Sequence, residues 1–325
     1  MMHISVLVPR GAVALSCIEG TLTLFGKVND LLAEQGKAPR FAVQLVGIDN
    51  TPQIYDGCFT VRPDVAIGQV SATNLIVIPA INGDKAEVIA ANAAFLPWII
   101  ACHKSGAEVA SLCVGAFLLA ETGLLEGKQC ATHWTAAADF KRMFSGVDLV
   151  ADAIITDQSG IYSSGGALSF WNLLLYLAEK YTDRHTAILV SKYFEIDIDR
   201  YSQSKFVIFT VQKTHSDESV KKAQEYIEGN YHLRISMEHL SRMFAVGRRN
   251  LERRFKLATG NTVSQYILRV KMEAAKKEFE IGGKNVSEVM FQVGYSDNKA
   301  FRAAFKRVTG LSPAGYRNRY QAHKP

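Results

Sequence analysis

Two stretches of this chain place guanidinium, ammonium and carboxamide groups along one side of a helix. Arg248, Arg249, Arg253 and Lys256 do so in "RRNLERRFKLATG", and Asn298, Lys299, Arg302 and Lys306 in "DNKAFRAAFKRVTG". Leu251, Phe255 and Ala258 in the first run, and Phe301, Phe305 and Val308 in the second, recur at i, i+4 and i+7 on the other side. Such a helix must bury its apolar side. The polar side is then free to enter a major groove, where Arg and Lys pair with guanine and Asn with adenine. A different chemistry is open to Cys113 in "EVASLCVGAFLLAE". A thiol where an apolar strand gives way to a helix lies among free backbone N–H groups, which favour a thiolate or a bound anion. Val114 follows it, and His133 can reach the same crevice from the next segment. Gly165 and Gly166 in "YSSGGALSF" add free N–H groups, or simply allow close helix–sheet packing. Cys113 and His133 also suit a plain packing role, the histidine beside Trp134.

These residues need elements to position them. Over residues 1–193 apolar strand patterns ("ISVLVP", "FAVQLVGI", "NLIVIPAI", "GAEVASLC", "DLVADAI", "GIYSSGG") alternate with helical ones, including one helix over 85–104 and "ALSFWNLLLYLAEKY". That alternation predicts an α/β domain with a mostly parallel sheet covered on both faces. Residues 194–215 read as a linker. Residues 216–325 have almost no strand signal and about seven helices, with capping boxes predicted at Thr262/Gln265 and Asn285/Glu288 and a Ser312-Pro313 start. These helices form a repeat: a short helix, a turn, then a basic helix ending "FKLATG" or "FKRVTG". Gly247 and Gly294 are the glycines expected at the two turns. A long helix over about 262–279 joins the copies, long enough to set two recognition helices about one DNA turn apart.

Composition supports the division. Residues 1–212 hold 15 Lys and Arg against 20 Asp and Glu, whereas residues 213–325 hold 22 against 11. The excess of positive charge in the second part suits a polyanion partner. No apolar run is long enough for a membrane span. The five cysteines lack close pairs, which fits a reducing cytoplasm and supplies no zinc site. No cofactor is expected.

The run "VSEVMFQVGYSDNKAFRAAFKRVTGLSPAGYR" resembles the second helix-turn-helix of AraC/XylS-family transcription regulators, and the likeness extends over residues 216–320. It implies a DNA-binding unit with two recognition helices in successive major grooves of double-stranded DNA. The family often has arginine where this chain has Ala303. Residues 3 to about 180 resemble the DJ-1/PfpI superfamily, related to class I glutamine amidotransferases, with Cys113 at its nucleophile-elbow position. The segment "GAFLLAETGLLEGKQCATHW" is close to that of the GlxA-like branch, which joins the two domain types. The resemblance implies a flavodoxin-like first domain that senses an effector and pairs into a homodimer. It also implies a cytoplasmic transcription regulator, activator or repressor, with RNA polymerase as a further partner and a small nitrogen-containing metabolite as effector.

Two departures bear on catalysis. Peptidase-like relatives have histidine directly after the cysteine, where this chain has Val114. An acid that holds the thiol in many members is matched here by Cys17, with Glu19 two residues on. On these grounds no enzyme activity is expected, and Cys113, Val114, His133, Glu19, Gly165 and Gly166 are read as lining an effector pocket. The alternative is a cysteine-dependent hydrolase or amidase with an attached DNA-binding domain.

Overall fold

The computed structural model describes residues 1–198, 202–203, 213 and 215–321, and the chain divides into two compact units, Met1–Gln203 and Ser204–Pro325. Most of 194–215, the expected linker, lies outside the described residues, as do the last four residues of the expected DNA-binding domain.

In the first unit the elements run β1 (Met2–Val8), α1 (Leu15–Glu34), β2 (Phe41–Gly47), a hairpin of β3 (Gln53–Tyr55) and β4 (Phe59–Val61), β5 (Val65–Ala66), β6 (Leu75–Ile78), α2 (Lys85–Ala91) and α3 (Phe95–Lys104). They continue with β7 (Glu108–Ser111), α4 (Ala116–Glu121), β8 (Gln129–Cys130), α5 (Ala137–Met143), β9 (Asp148–Leu149), β10 (Ile155–Gln158), β11 (Ile161–Ser164), α6 (Ser169–Tyr181) and α7 (Arg184–Tyr193). Seven strands form one sheet in the order β10-β11-β7-β6-β1-β2-β5. Every neighbouring pair is parallel except β10 and β11. β6 and β11 are buried along their whole length, as strands covered on both faces must be. The strand order reverses direction between β1 and β6, which leaves a crevice beyond their carboxyl ends.

The helix expected over 85–104 is broken. The buried Asn92 side chain donates to the carbonyls of Arg10 and Val88 and accepts from the Arg10 N–H, tying the loop after β1 to the break. Pro97 has no N–H for the carbonyl four residues back, so a continuous helix would lose a bond there. The stretch expected as a strand at "DLVADAI" forms a strand only at Asp148–Leu149, paired with β8, and adds an isolated bridge from Ala153 to Ser202.

The second unit holds α8 (Glu218–Gly229), α9 (Met237–Met243), α10 (Arg248–Thr259), α11 (Val263–Ile281), α12 (Val286–Gln292), α13 (Asn298–Thr309) and α14 (Pro313–Tyr320). Each expected cap is present. Thr262 with Gln265 and Asn285 with Glu288 form capping boxes, and Ser312 caps α14 with Pro313 as its first residue. There are two small cores. One gathers Val220, Ile227, Leu240, Leu251, Phe255 and Tyr266; the other gathers Met272, Phe279, Val289, Phe301, Phe305 and Tyr316. α11 supplies Val263 and Tyr266 to the first core and Met272, Ala275 and Phe279 to the second. At 1.5 Å per residue its 19 residues span about 28 Å.

The two copies differ at their turns. Gly294 lies at its turn as expected and takes the left-handed conformation, with φ 74°, and its bare Cα faces the His232 carbonyl. Gly247 does not play that part. Its φ is −56°, and it caps α10, while Ala245 carries the left-handed φ of 51°. The reason is length: four residues (244–247) separate the helices of the first copy and five (293–297) those of the second, so the residue matching Gly294 is Ala245.

Candidate functional site

α10 and α13 are each twelve residues long and correspond residue by residue with an offset of 50. The local bonding repeats with them. Thr259 Oγ1 donates to the Phe255 carbonyl at 2.7 Å and accepts from the Asn261 N–H, as Thr309 does to Phe305 at 2.8 Å and from Leu311. Gly260 and Gly310 end the helices with φ of 68° and 74°. Leu251 and Phe255 in α10, and Phe301 and Phe305 in α13, are fully buried. Arg248, Arg249, Arg253 and Lys256, and Asn298, Lys299, Arg302 and Lys306, are all exposed. Asn298, Lys299, Arg302, Ala303, Lys306 and Ser312 line one shallow open groove along α13. On α10, Arg248 Nη1 donates to Glu238 at 2.6 Å, so part of its charge is already partnered, and Arg253 reaches Asn250 at 3.4 Å.

Arg254 faces another way. Its Nε and Nη2 donate to Asp217 at 2.7 and 2.6 Å, and Asp217 also caps α8 through the Val220 N–H. The Arg254 bonds are the chief cause holding the Asp217 carboxyl below the usual carboxylate range. This basic residue fixes the first core's helix start and is not part of the exposed row.

In the first unit, Cys113 follows β7 in a sharp turn with φ 55°, a conformation costly for a side chain with a Cβ. The turn is held from both sides. The Cys113 N–H donates to Ser164 Oγ at 3.1 Å, and Thr132 Oγ1 donates to the Cys113 carbonyl at 3.1 Å. Gly115 lets the chain pass the end of β6, since a Cβ there would lie 2.6 Å from the Pro79 carbonyl oxygen and 2.7 Å from that of Ile78. A cavity of about 250 Å³ opens above the turn, lined among others by Ser16, Cys17, Asn82, Cys113, His133 and Thr135. Its walls come from the segments after β1, β6, β7, β8 and β11, beyond the carboxyl ends of the central strands, where open α/β sheets bind ligands.

Burial governs the electrostatics here. It pushes the Cys113 thiol up to about 11, against the pull of the Val114 N–H and the Lys85 ammonium. Cys17 is pushed up to about 12 by burial, the Ala80 backbone bond opposing, with Cys113 adding to the rise. At neutral pH both are thiols. Burial also lowers His133, whose Nδ1 accepts from the Thr135 N–H at 3.2 Å, so the neutral ring carries its proton on Nε2. The imidazole stacks on Trp134, with centroids 5.6 Å apart.

Of the pocket candidates, Cys113, Val114 and His133 share the cavity wall. Glu19 does not. Cys17 turns inward from the first turn of α1, so Glu19, two residues on, points to solvent, where its Oε1 accepts from Thr23 at 2.5 Å. Gly165 and Gly166 lie behind the wall, and the residue that reaches the cavity is Ala167. The Gly166 N–H donates to Gln203 Oε1 at 2.8 Å, and Gln203 Nε2 donates to the Thr132 and Ala151 carbonyls at 3.0 and 2.8 Å. The sequence reading missed Ser16, Asn82 and Thr135. Their one signal is position, each falling shortly after a strand of the central sheet or its flank. Among the described residues no group of His, Cys, Asp and Glu could hold a metal ion, and no single helix is long and apolar enough to cross a membrane.

The sequence profile of the DJ-1/PfpI family matches residues 31–180, and that of a helix-turn-helix domain matches residues 240–319. The chain joins a DJ-1/PfpI-like domain to a helix-turn-helix domain. It is a DNA-binding regulator of that composite kind. The regulator is 23% identical over 256 residues to the HTH-type transcriptional regulator GbdR of Pseudomonas aeruginosa, covering 78% of this chain and 68% of that protein. Among solved structures, a putative transcriptional regulator protein from Vibrio parahaemolyticus shares the fold with a TM-score of 0.53 and 24% identity, over 59% of this chain and 98% of that one. The regulator is also 26% identical over 157 residues to isonitrile hydratase of Pseudomonas putida, covering 48% of this chain and 67% of that enzyme. This corrects the expectation that the chain has no enzyme activity. With a named enzyme among the proteins of similar sequence, Val114 and Cys17 are not grounds to exclude catalysis.

Proposed function

We propose that this regulator reads double-stranded DNA with α10 and α13 in successive major grooves, under the control of a small nitrogen-containing metabolite bound above Cys113. The observation that carries the DNA part is the repeat itself: two equally long helices, each burying an apolar side and exposing basic residues in the same register. The cavity suits a small ligand. At about 250 Å³ it is below the usual drug-sized range, and hydroxyl, amide and imidazole groups of Ser16, Asn82, His133 and Thr135 give it donors and acceptors without a carboxylate among its walls. Membership of the GlxA-like branch, pairing of two copies through residues 1–193 and contact with RNA polymerase complete this reading. Pairing would join two DNA units and raise their combined affinity.

The test is a duplex titration with the full chain and two variants. Arg253→Ala should weaken a selected duplex by about 1–3 kcal/mol, with little effect on a scrambled one. Lys306→Ala should weaken both alike, as loss of a phosphate contact does. No binding to either duplex by the wild type at low salt refutes the proposal. Adding amino acids and betaines one at a time to the same titration identifies the effector by a change in affinity.

A second reading has its own support. The left-handed turn at Cys113 presents the thiol as a strand-to-helix elbow does, and isonitrile hydratase resembles this domain. In it, the crevice turns a substrate over. Multiple turnover of an isonitrile, amide or ester that is lost in Cys113→Ser would decide for it.

A further inference from the structure

The register between α10 and α13 leads beyond the row of basic residues. The groove along α13 is lined by Asn298, Lys299, Arg302, Ala303, Lys306 and Ser312. Fifty residues earlier stand Arg248, Arg249, Glu252, Arg253, Lys256 and Thr262. The match extends to the last pair, since Thr262 caps α11 as Ser312 caps α14. Every α10 position that matches the groove of α13 is therefore basic except one. Glu252 stands where the second copy has Arg302.

Glu252 is exposed. Arg248 and Lys256 lie one helical turn away on either side, yet among the described residues Glu252 has no hydrogen bond or ion pair. Arg248 turns instead to Glu238, at 2.6 Å. A free carboxylate on a face that meets phosphates is repelled by them, so it lowers affinity unless it finds a donor. The major groove offers one suited to it. Cytosine presents the N4 amino group, while guanine presents two acceptors that a carboxylate must avoid; adenine's N6 donor has the N7 acceptor at its side.

We propose that Glu252 is a specificity-determining residue that accepts a hydrogen bond from cytosine N4, so that the half-site read by α10 requires a cytosine where the half-site read by α13 takes a guanine at Arg302. The two half-sites then differ in sequence although the helices match in register. This inference rests on the DNA reading above.

The experiment selects a random-sequence duplex pool with the full-length wild type, Glu252→Ala and Glu252→Arg, after circular dichroism has shown equal helix content. The wild-type winner is then titrated with each base at each position. The wild type should require cytosine at one position of one half-site, with other bases roughly 5- to 150-fold weaker. Glu252→Ala should lose that preference alone, and Glu252→Arg should select guanine there. An unchanged cytosine preference in Glu252→Ala overturns the assignment, as does an equal loss at every sequence, which would mark a merely structural residue. A wild type that enriches no sequence overturns the DNA reading itself, and a wild type that selects a site with no cytosine requirement overturns only the role of Glu252.

Discussion

Ala245 and Gly294 occupy the same place in the two copies, with φ of 51° and 74°, and exchanging their residue types should have opposite effects. A left-handed backbone costs a residue with a Cβ about 1–2 kcal/mol. Glycine avoids that cost but surrenders about 0.5–1 kcal/mol through its freedom in the unfolded chain. Ala245→Gly should therefore stabilise the helical unit by about 0.5–1 kcal/mol, raising its melting temperature by roughly 3–6 °C. Gly294→Ala meets a further obstacle, since its new Cβ would lie 2.0 Å from the His232 carbonyl oxygen. Backbone must shift to relieve that contact, and the loss should reach about 3 kcal/mol or more. The chain provides its own control. All three tryptophans, Trp98, Trp134 and Trp171, belong to the first unit, so their fluorescence follows that unit, while far-ultraviolet circular dichroism follows both. The expected shifts appear in the helical component of the dichroism. A lower melting temperature for Ala245→Gly, or none lost in Gly294→Ala, would refute the assignment of the turn.

Two further outcomes follow from ionisable groups. Asp217, held ionised chiefly by Arg254, favours the folded state above the ordinary carboxylate range, and that contribution disappears as pH falls through its lowered folded value. The stability gap between wild type and Asp217→Asn should thus narrow on acidification, and a gap that stays constant down to about pH 2 argues against the ion pair. Cys113, with its thiol near 11 against an ordinary 9.0, should be alkylated by iodoacetamide about a hundredfold more slowly at mildly alkaline pH than a free thiol, as followed by peptide mass spectrometry. Lys85→Met should slow it further, because the ammonium favours the thiolate; labelling as fast as a small free thiol would contradict the burial assigned to it.

Much of this architecture is legible in the residues. Apolar runs such as "LIVI" announce buried strands, and the capping pairs Thr262/Gln265 and Asn285/Glu288 mark helix starts to the residue, because each depends on local spacing alone. Where the reading slips, a distant partner decides. Asn92 breaks the helix over 85–104 by bonding the loop after β1, 82 residues away in the chain. Ala245, not Gly247, takes the left-handed turn because loop length outweighs the preference for glycine. The crevice was visible through Cys113 but not through Asn82 or Thr135, which reach it from separate strands and share no local pattern. Glu19 failed for the opposite reason: two residues along a helix turn a side chain through about 200°, so a neighbour in sequence of an inward residue faces out.

On the proposed reading of DNA by α10 and α13, α11 has a consequence for the operator. It belongs to both small cores at once, so the two recognition helices are mounted on one rod rather than on two bodies joined by a flexible tether. A helix keeps its rise of about 1.5 Å per residue and cannot lengthen by turning a bond. One base pair inserted between the half-sites moves them about 3.4 Å apart and also winds one roughly 35° around the duplex axis from the other. A tether would absorb both displacements; a rod absorbs neither. The regulator should behave as a ruler of fixed length and fixed phase, tolerating changed bases between its half-sites far better than a changed number of them.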